Sequence, residues 1–295
     1  MIKRIVEISS AAYIHTRLGQ LIVERNDQDV VQVPLEDLGT LILDNPAIRL
    51  TQAMLTACAE QDVVVVISDS KHLPASVFLP SDGNTLQGKF VAAQAALTLP
   101  TQKRLWQDII RRKIAGQADV LANAGVSDVA VRSMVPRVRS GDPDNIEAQA
   151  ARAYWPLLFG PGFRRNVGQP GINALLNYGY AVIRAACARA ICGAGLHPSL
   201  GIHHHNQYDP FCLADDLVEP LRPIIDAEVH DIAGKAGEAV VDITRGNRER
   251  LLTLLTRPVT VGEQSLPLLS SLHVYVASIR AEIVGERGAL VIPAP

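Results

Sequence analysis

The rhythm of hydrophobic and polar positions changes once along this chain. Over the first 80 residues the apolar positions are β-branched and partly alternate, as in half-buried strands. IVEI (5–8), YIHTRLGQLIVER (13–25) and VVQVPL (30–35) read as strands, with turn-like breaks at Ser9–Ser10 and Asn26–Asp27. LGTLILD (38–44) is a further strand, and the unbroken run VVVVI (63–67) reads as a strand buried on both faces. Between them, Pro46 opens an amphipathic helix running to about Gln61, with Ile48, Met54, Leu55 and Cys58 on its apolar side.

Residues 68–88, rich in proline, glycine and small polar residues, read as a loop or linker. From about residue 89 the pattern is helical, beginning with KFVAAQAALT and TQKRLWQDIIRRKIAGQADVLANAG. The expected fold class is therefore α+β: a small N-terminal β-rich domain (1–80), a linker with the first helix (81–100), and a larger α-helical domain (101–295). The closing ERGALVIPAP reads as a loosely held tail, and no internal repeat is visible.

Composition narrows the class. Apolar residues make up 48% of the 295, but aromatics only 4%, so the core must rest on aliphatic packing. The net charge of −2 provides no global attraction for nucleic acid, so any anion-binding surface must be local. Cys58, Cys187, Cys192 and Cys212 form no CxxC, which argues against both a disulfide framework and a thiolate zinc site. The N-terminus turns polar too early for a secretory signal, and no apolar run approaches a membrane span. A cytoplasmic protein with no membrane association is the expectation.

The candidate chemistry lies in LHPSLGIHHHNQYDPFCLADDLVEPLRP (196–223), where His203, His204 and His205 stand together. In an extended stretch His204 points away from its neighbours, so one ring can enter a site alone. Just beyond, a helical projection places Leu213, Ala214, Leu217 and Leu221 on one face, with Asp215, Asp216 and Glu219 opposite. Three acids on one face repel each other unless a cation neutralises them. The alternatives are a loop histidine cluster and a solvated acidic face partly compensated by Arg222. Pro220 disfavours helix at Glu219, so a break is expected there. Imidazole with carboxylates suits manganese, or magnesium with extra waters, while Cys212 and the histidines leave zinc open. Upstream, DNIEAQAARAYWPLLFG (144–160) reads as a helix starting near Asp144, and Glu147 there is also the reciprocal partner of a capping box.

N-x-E-A-x-A-A-R-x-Y-W at 145–155, LLNYGYAVI at 175–183, and G-I-H-H followed by L-A-x-D-L-x-E-P-x-R-P at 213–223 carry a family resemblance. In this order, with LWQxIIRxKI at 105–114, the chain resembles the CRISPR-associated adaptation integrase, the metal-dependent endonuclease that inserts new spacers into CRISPR arrays. The GIHH and DLVEP-x-RP forms most resemble the type II versions. The resemblance implies a metal site of Glu147, His204 and Glu219 holding Mn2+ or Mg2+, with Asp216 beside it as a ligand or supporting acid. It also implies a homodimer paired through the β-rich domains, a small ferredoxin-like partner protein, and attack of a DNA 3′-hydroxyl on a phosphodiester at the repeat boundary. The chain departs from the general pattern in QYDPFC after the histidines and in the histidine triplet, which leaves His205 open beside His204. The spacing to Asp216 favours His204.

Local basic groups complete the picture. Lys103, Arg104, Arg111, Arg112 and Lys113 are interrupted by the single acid Asp108, and Arg132, Arg137 and Arg139 form a second group, with Arg164–Arg165 a third. On a helix the first group could form a stripe for double-stranded DNA phosphates, or an ordinary solvated face. Tyr154 and Trp155 read as packing residues rather than stacking platforms. Two rival functions remain: a metal-dependent hydrolase of a smaller phosphoester, and a DNA-binding scaffold without catalysis.

Overall fold

The computed structural model describes residues 3–26, 29–70, 72, 74–80, 84–236, 241–286 and 288–294. Strand β1 (Arg4–Ile8) leads into a hairpin of β2 (Tyr13–Arg17) and β3 (Gln20–Glu24), followed by β4 (Val31–Pro34) and β5 (Leu38–Leu43). A two-residue strand β6 (Arg49–Leu50) precedes helix α1 (Gln52–Glu60), then β7 (Val64–Ser68) and β8 (Pro74–Phe78). One sheet has the order β1-β5-β7-β8, parallel except for β8, and a second has the order β4-β3-β2-β6.

Strand β5 is buried at all six positions, and its alternate residues serve two cores. Leu41 and Leu43, with Val63 and Val65, pack into the N-terminal core together with Ile14, Leu21 and Met54. Ile42, with Val64 and Val66, faces the helical core. Covering both faces is what a parallel sheet requires, and it explains the unbroken apolar run at 63–67 and the run at 38–43 broken only by Thr40.

The helical part comprises α2 (Gln87–Ala95), α3 (Leu99–Asn123), the one-turn α4 (Val129–Arg132), α5 (Ile146–Phe159), α6 (Ile172–Gly193), α7 (Cys212–Val218), α8 (Arg222–Ala236) and α9 (Arg245–Thr253). A hairpin of β9 (Pro258–Val261) and β10 (Gln264–Pro267) then leads into α10 (Leu268–Ile283). Helices α3, α6 and α10 form the centre of this layer. Among the described residues, no helix is long and apolar enough to cross a membrane. All four cysteines are buried free thiols.

Four local expectations need correction. Helix α1 begins at Gln52, not at Pro46, because the Thr51 hydroxyl caps it by accepting from the Met54 amide, while Arg49–Leu50 pair with Tyr13–Ile14. Within the expected loop at 68–88, Pro74–Phe78 form the edge strand β8 against β7; Ser81–Gly83 lie outside the described residues. The C-terminal tail is tied down, since Thr260 and Ala294 exchange two backbone hydrogen bonds of 2.7 and 2.8 Å. Helix α5 starts at Ile146 and is capped by Asn145, whose side chain accepts from the Ala148 amide, so Asp144 is not the cap.

Candidate metal centre

The centre forms where α3, the start of α5, the loop after α6 and the α7–α8 junction meet. Helix α3 buries a stripe that includes Trp106, Ile110, Lys113 and Gln117. These residues recur at helical spacing on one face, so Lys113 is carried inward with the apolar positions. The two carboxylate oxygens of Asp142 accept from the Ile146 and Glu147 amides at 2.9 and 3.0 Å. Asn145 adopts the left-handed conformation (φ 51°), which asparagine tolerates better than most residues. Together they fix the first turn of α5, where Glu147 is set.

Helix α7 stops at Val218, and Glu219–Leu221 form a 3-10 turn before α8, the break that Pro220 predicts. The three acids of this segment then go to three different partners. Asp215 pairs with Arg184, its Oδ1 2.6 Å from Nε. Asp216 is completely buried and accepts four hydrogen bonds. Its Oδ2 takes the amides of Ile202 and His203 at 2.6 and 2.9 Å, and its Oδ1 takes the His204 amide at 3.2 Å and the His204 Nδ1 at 2.6 Å. Glu219 is buried, with Oε2 2.5 Å from Lys113 Nζ and Oε1 2.9 Å from Arg222 Nη2. A solvated acidic face is therefore not what forms.

Asp216 wraps the histidine loop around itself, which requires Gly201. A Cβ at that position would lie 2.2 Å from the His204 carbonyl oxygen and 3.0 Å from Asp216 Oδ2. The rings are placed by Trp106. His203 stacks on the indole with centroids 4.0 Å apart and planes 2° from parallel, and His204 meets it edge-on at 5.6 Å. With Nδ1 committed to Asp216, His204 keeps Nε2 for another partner, the arrangement in which a carboxylate orients a metal-binding imidazole.

Glu147 Oε1 lies 2.5 Å from Lys113 Nζ, so this one ammonium stands between Glu147 and Glu219. Electrostatics tie the groups together. Burial alone would raise the Glu219 carboxyl, but Lys113 and then Arg222 outweigh it and bring its pKa down to about 2. His204 is raised, first by its hydrogen bond to Asp216 and further by the charges of Asp216 and Glu219 against the opposing effect of burial. His203 is lowered, chiefly by burial, with Glu147 among the charges that oppose it.

A second layer lies beneath. Asp226 on α8 is fully buried, accepts from the Tyr154 hydroxyl at 3.0 Å and from the Tyr180 hydroxyl, and is raised to about 6 by desolvation. The Arg222 guanidinium lies over the Tyr180 ring, 4.6 Å from its centroid, while holding Glu219. Tyr154, seven residues along α5 from Glu147, thus links α5 to α8 through Asp226.

Among the described residues, no three histidine, cysteine, aspartate or glutamate side chains stand ready as metal ligands. The reason is local: Lys113 separates the two glutamates, and Asp216 is saturated by amides. The donor chemistry nevertheless fits a hard divalent ion, since two carboxylates already converge on one cation and the His204 imidazole is near enough for its charge to couple to Glu219. The Cys212 thiol instead engages the backbone of Asn206 and Asp209. His205 makes no such bond to Asp216, which goes to His204.

The expected basic stripe divides. Lys113 does not belong to it, because its side chain is only 9% exposed and both its neighbours are site glutamates. Arg104 pairs with Glu282 at 2.6 Å, Arg139 forms a fork with Asp144, and Arg132 pairs with Asp119. Lys103 is exposed, Arg112 half-buried, Arg111 donates to the Val138 carbonyl, and Arg137 bonds Gln149. Trp106 and Lys113 lie within the LWQxIIRxKI segment, but that segment does not reveal their roles at this centre, and Asp226 lies outside every motif noted above. The burial of Lys113 does have a sequence signal, its register with Trp106 and Ile110.

Comparison with known proteins places this architecture. The family model described as CRISPR associated protein Cas1 matches residues 6–237. The CRISPR-associated endonuclease Cas1 of Neisseria meningitidis serogroup C is 35% identical over 95% of this chain and 91% of its own length. A second such endonuclease, from Pyrobaculum aerophilum, is 27% identical over 94% and 97%. Among solved structures, a CAS1 protein from Thermotoga maritima superposes with a TM-score of 0.79 at 16% identity, covering 97% of this chain and 99% of that one. A casposase bound to integration product superposes at 0.80 with 18% identity, covering 98% and 92%. With the β-rich start, the helical remainder and the family match over most of its length, this chain belongs to the Cas1 family of CRISPR-associated proteins.

Proposed function

We propose that this chain is a divalent-metal-dependent DNA endonuclease and integrase of CRISPR adaptation, of the type II-like subgroup, acting in the cytoplasm. The observation that carries the reading is the convergence of Glu147 and Glu219 on a single cation beside an imidazole oriented by Asp216. Family membership supplies the reaction class: a 3′-hydroxyl of a short DNA fragment attacks a phosphodiester at the repeat boundary of the array.

In this reading Glu147, Glu219 and the Nε2 of His204 would hold Mn2+ or Mg2+, which when bound would supply Lewis-acid stabilisation of charge on the phosphoryl, attacking and leaving oxygens. The protein's residues provide the rest. Asp216 fixes the tautomer of His204 by accepting from Nδ1, and Trp106 fixes the ring plane. Arg222 holds Glu219 from the side away from Lys113 and steadies it against rotation. Lys103, Arg104, Arg111, Arg112, Arg137 and Arg139 are the candidates for phosphate contacts, with Arg104 and Arg139 exchanging their acidic partners for DNA.

The partners follow from relatives. One related structure is of a Cas6-RT-Cas1–Cas2 complex and another of a Cas1–DNA complex. We extend these to this chain as double-stranded DNA, a small ferredoxin-like companion protein and a homodimer paired through the β-rich part. A scaffold without catalysis draws on the same Lys113 bridge, read as a structural ion triad. Glu147→Gln separates the two. Strand transfer of a fragment into a repeat-bearing plasmid with Mn2+ and the companion protein is expected to fall by about 10³-fold or more. Transfer that survives the change would remove Glu147 from the centre, and equal loss of DNA affinity and transfer would favour the scaffold.

A further inference from the structure

We propose that Lys113 is a built-in cation that occupies the place between Glu147 and Glu219 until a divalent ion takes it, so that metal enters by displacing the ammonium. The inference rests on the metal-site reading above. Lys113 Nζ is 2.5 Å from an oxygen of each glutamate, and the second Glu219 oxygen is held by Arg222 at 2.9 Å. Both oxygens of Glu219 therefore already face a cation. An ion held by both Glu147 and Glu219 would need the volume that the ammonium fills. Two cations cannot share that space in a buried centre, because their repulsion is strong where water is scarce.

The residue type suits the task. Lysine presents a point charge on a flexible four-carbon stem and can withdraw along α3 without movement of the helix. An arginine fork would grip each carboxylate through a separate N–H and resist exchange. The entry side is also marked. The Glu147 side chain is 31% exposed while Lys113 and Glu219 are nearly buried, so an ion approaches past Glu147 and meets the ammonium from outside. In the metal-free protein Lys113 prevents the two carboxylates from repelling each other and keeps them convergent.

The consequence has a sign that a purely supporting lysine would not give. Removing the ammonium frees the carboxylates for the metal, so Lys113→Gln should bind Mn2+ more tightly, by about tenfold or more. The same variant should melt lower than the parent without metal and gain more from Mn2+. Calorimetric Mn2+ titration and thermal unfolding of the full-length parent, Lys113→Gln and Glu147→Gln measure these directly. Unchanged or weaker Mn2+ binding by Lys113→Gln overturns the displacement, while a loss of binding in Glu147→Gln still upholds the metal site. Absence of Mn2+ binding in both parent and Lys113→Gln overturns the metal reading and this proposal with it. Should Lys113→Gln fail to fold, the parent answers alone. On titration with diamagnetic Mg2+, the lysine side-chain NMR signal of Lys113 is expected to move from its ion-paired position, and a signal that stays fixed at saturation overturns the proposal.

Discussion

Arg248 and Lys113 each stand between two carboxylates, and each cluster includes a histidine bonded through Nδ1 to an aspartate. Arg248, on α9, takes Glu7 through Nε at 2.8 Å and Asp44 through Nη2 at 3.1 Å, and His72 adds a 2.9 Å bond to Asp44. Lys113 takes Glu147 and Glu219 through one nitrogen, and His204 bonds Asp216. In the first cluster the cation and both of its carboxylates are buried, and each carboxylate has its own N–H in a rigid planar fork. This cluster clamps the β-rich part to the helical part. In the second, two carboxylates share a point charge, one of them reaches solvent, and the histidine keeps a nitrogen free. Similar ingredients thus give a lock in one place and, in the metal reading proposed above, an exchangeable centre in the other, and the difference lies in donor geometry and access.

If that contrast holds, the largest effect on stability belongs to the lock. Arg248→Met leaves Glu7 as a buried, uncompensated carboxylate and Asp44 with His72 as its remaining partner, and should cost about 3–5 kcal/mol. Chemical denaturation measures this. Mn2+ affinity of the folded variant should remain that of the parent. A stability loss below about 1 kcal/mol, or a matching loss of Mn2+ binding, would erase the distinction between the two clusters.

The next effect tests the layer beneath the centre. Asp44 has a cation in contact, whereas the contacts made by Asp226 are tyrosine hydroxyls, and desolvation raises it to about 6. A carboxyl that is raised on folding favours the native state while protonated. Its contribution is complete below pH 4 and is lost as the pH rises through about 6. Asp226→Asn removes that dependence. The stability of the variant relative to the parent should therefore improve by about 2–3 kcal/mol between pH 4 and pH 7. Urea unfolding at both pH values gives the difference, and a flat difference would show that Asp226 titrates normally.

Legibility follows the same physics. The strands at 38–43 and 63–67 are readable because burial on both faces leaves almost continuous apolar runs, broken only by Thr40. Strand β8 is not, because a short edge strand that opens with Pro74 and carries Ser76 imitates a loop. Glu219 and the helix break follow from Pro220 and the spacing of the acids. Glu147 is selected by family resemblance alone, since a capping role explains its position equally well. The burial of Lys113 is written in its register with Trp106 and Ile110, yet its place in a run of basic residues suggests a solvated stripe. The tertiary acceptor role of Asp216 has no sequence signature, because the amides it gathers lie 12 to 14 residues away.

The smallest expected effect is the most discriminating between the two histidines. Asp216→Asn replaces one acceptor oxygen with a donor facing backbone amides, and the bond that holds His204 Nδ1 is lost with it or inverted. The ring is then free to turn and its raised pKa should fall back, since the Asp216 hydrogen bond is the leading cause of the shift. Loss of such an orienting carboxylate weakens metal binding by about 10–100-fold. The parallel change Asp44→Asn removes the partner of His72, and it should disturb stability while leaving Mn2+ affinity unchanged. Calorimetry of both variants, with histidine NMR titration of the first, makes the comparison. Equal loss of Mn2+ binding in the two would mean that His204 owes nothing special to its aspartate. Loss in Asp216→Asn alone would mean that the buried aspartate acts through the proposed ligand nitrogen of the ring rather than through the general stability of the loop.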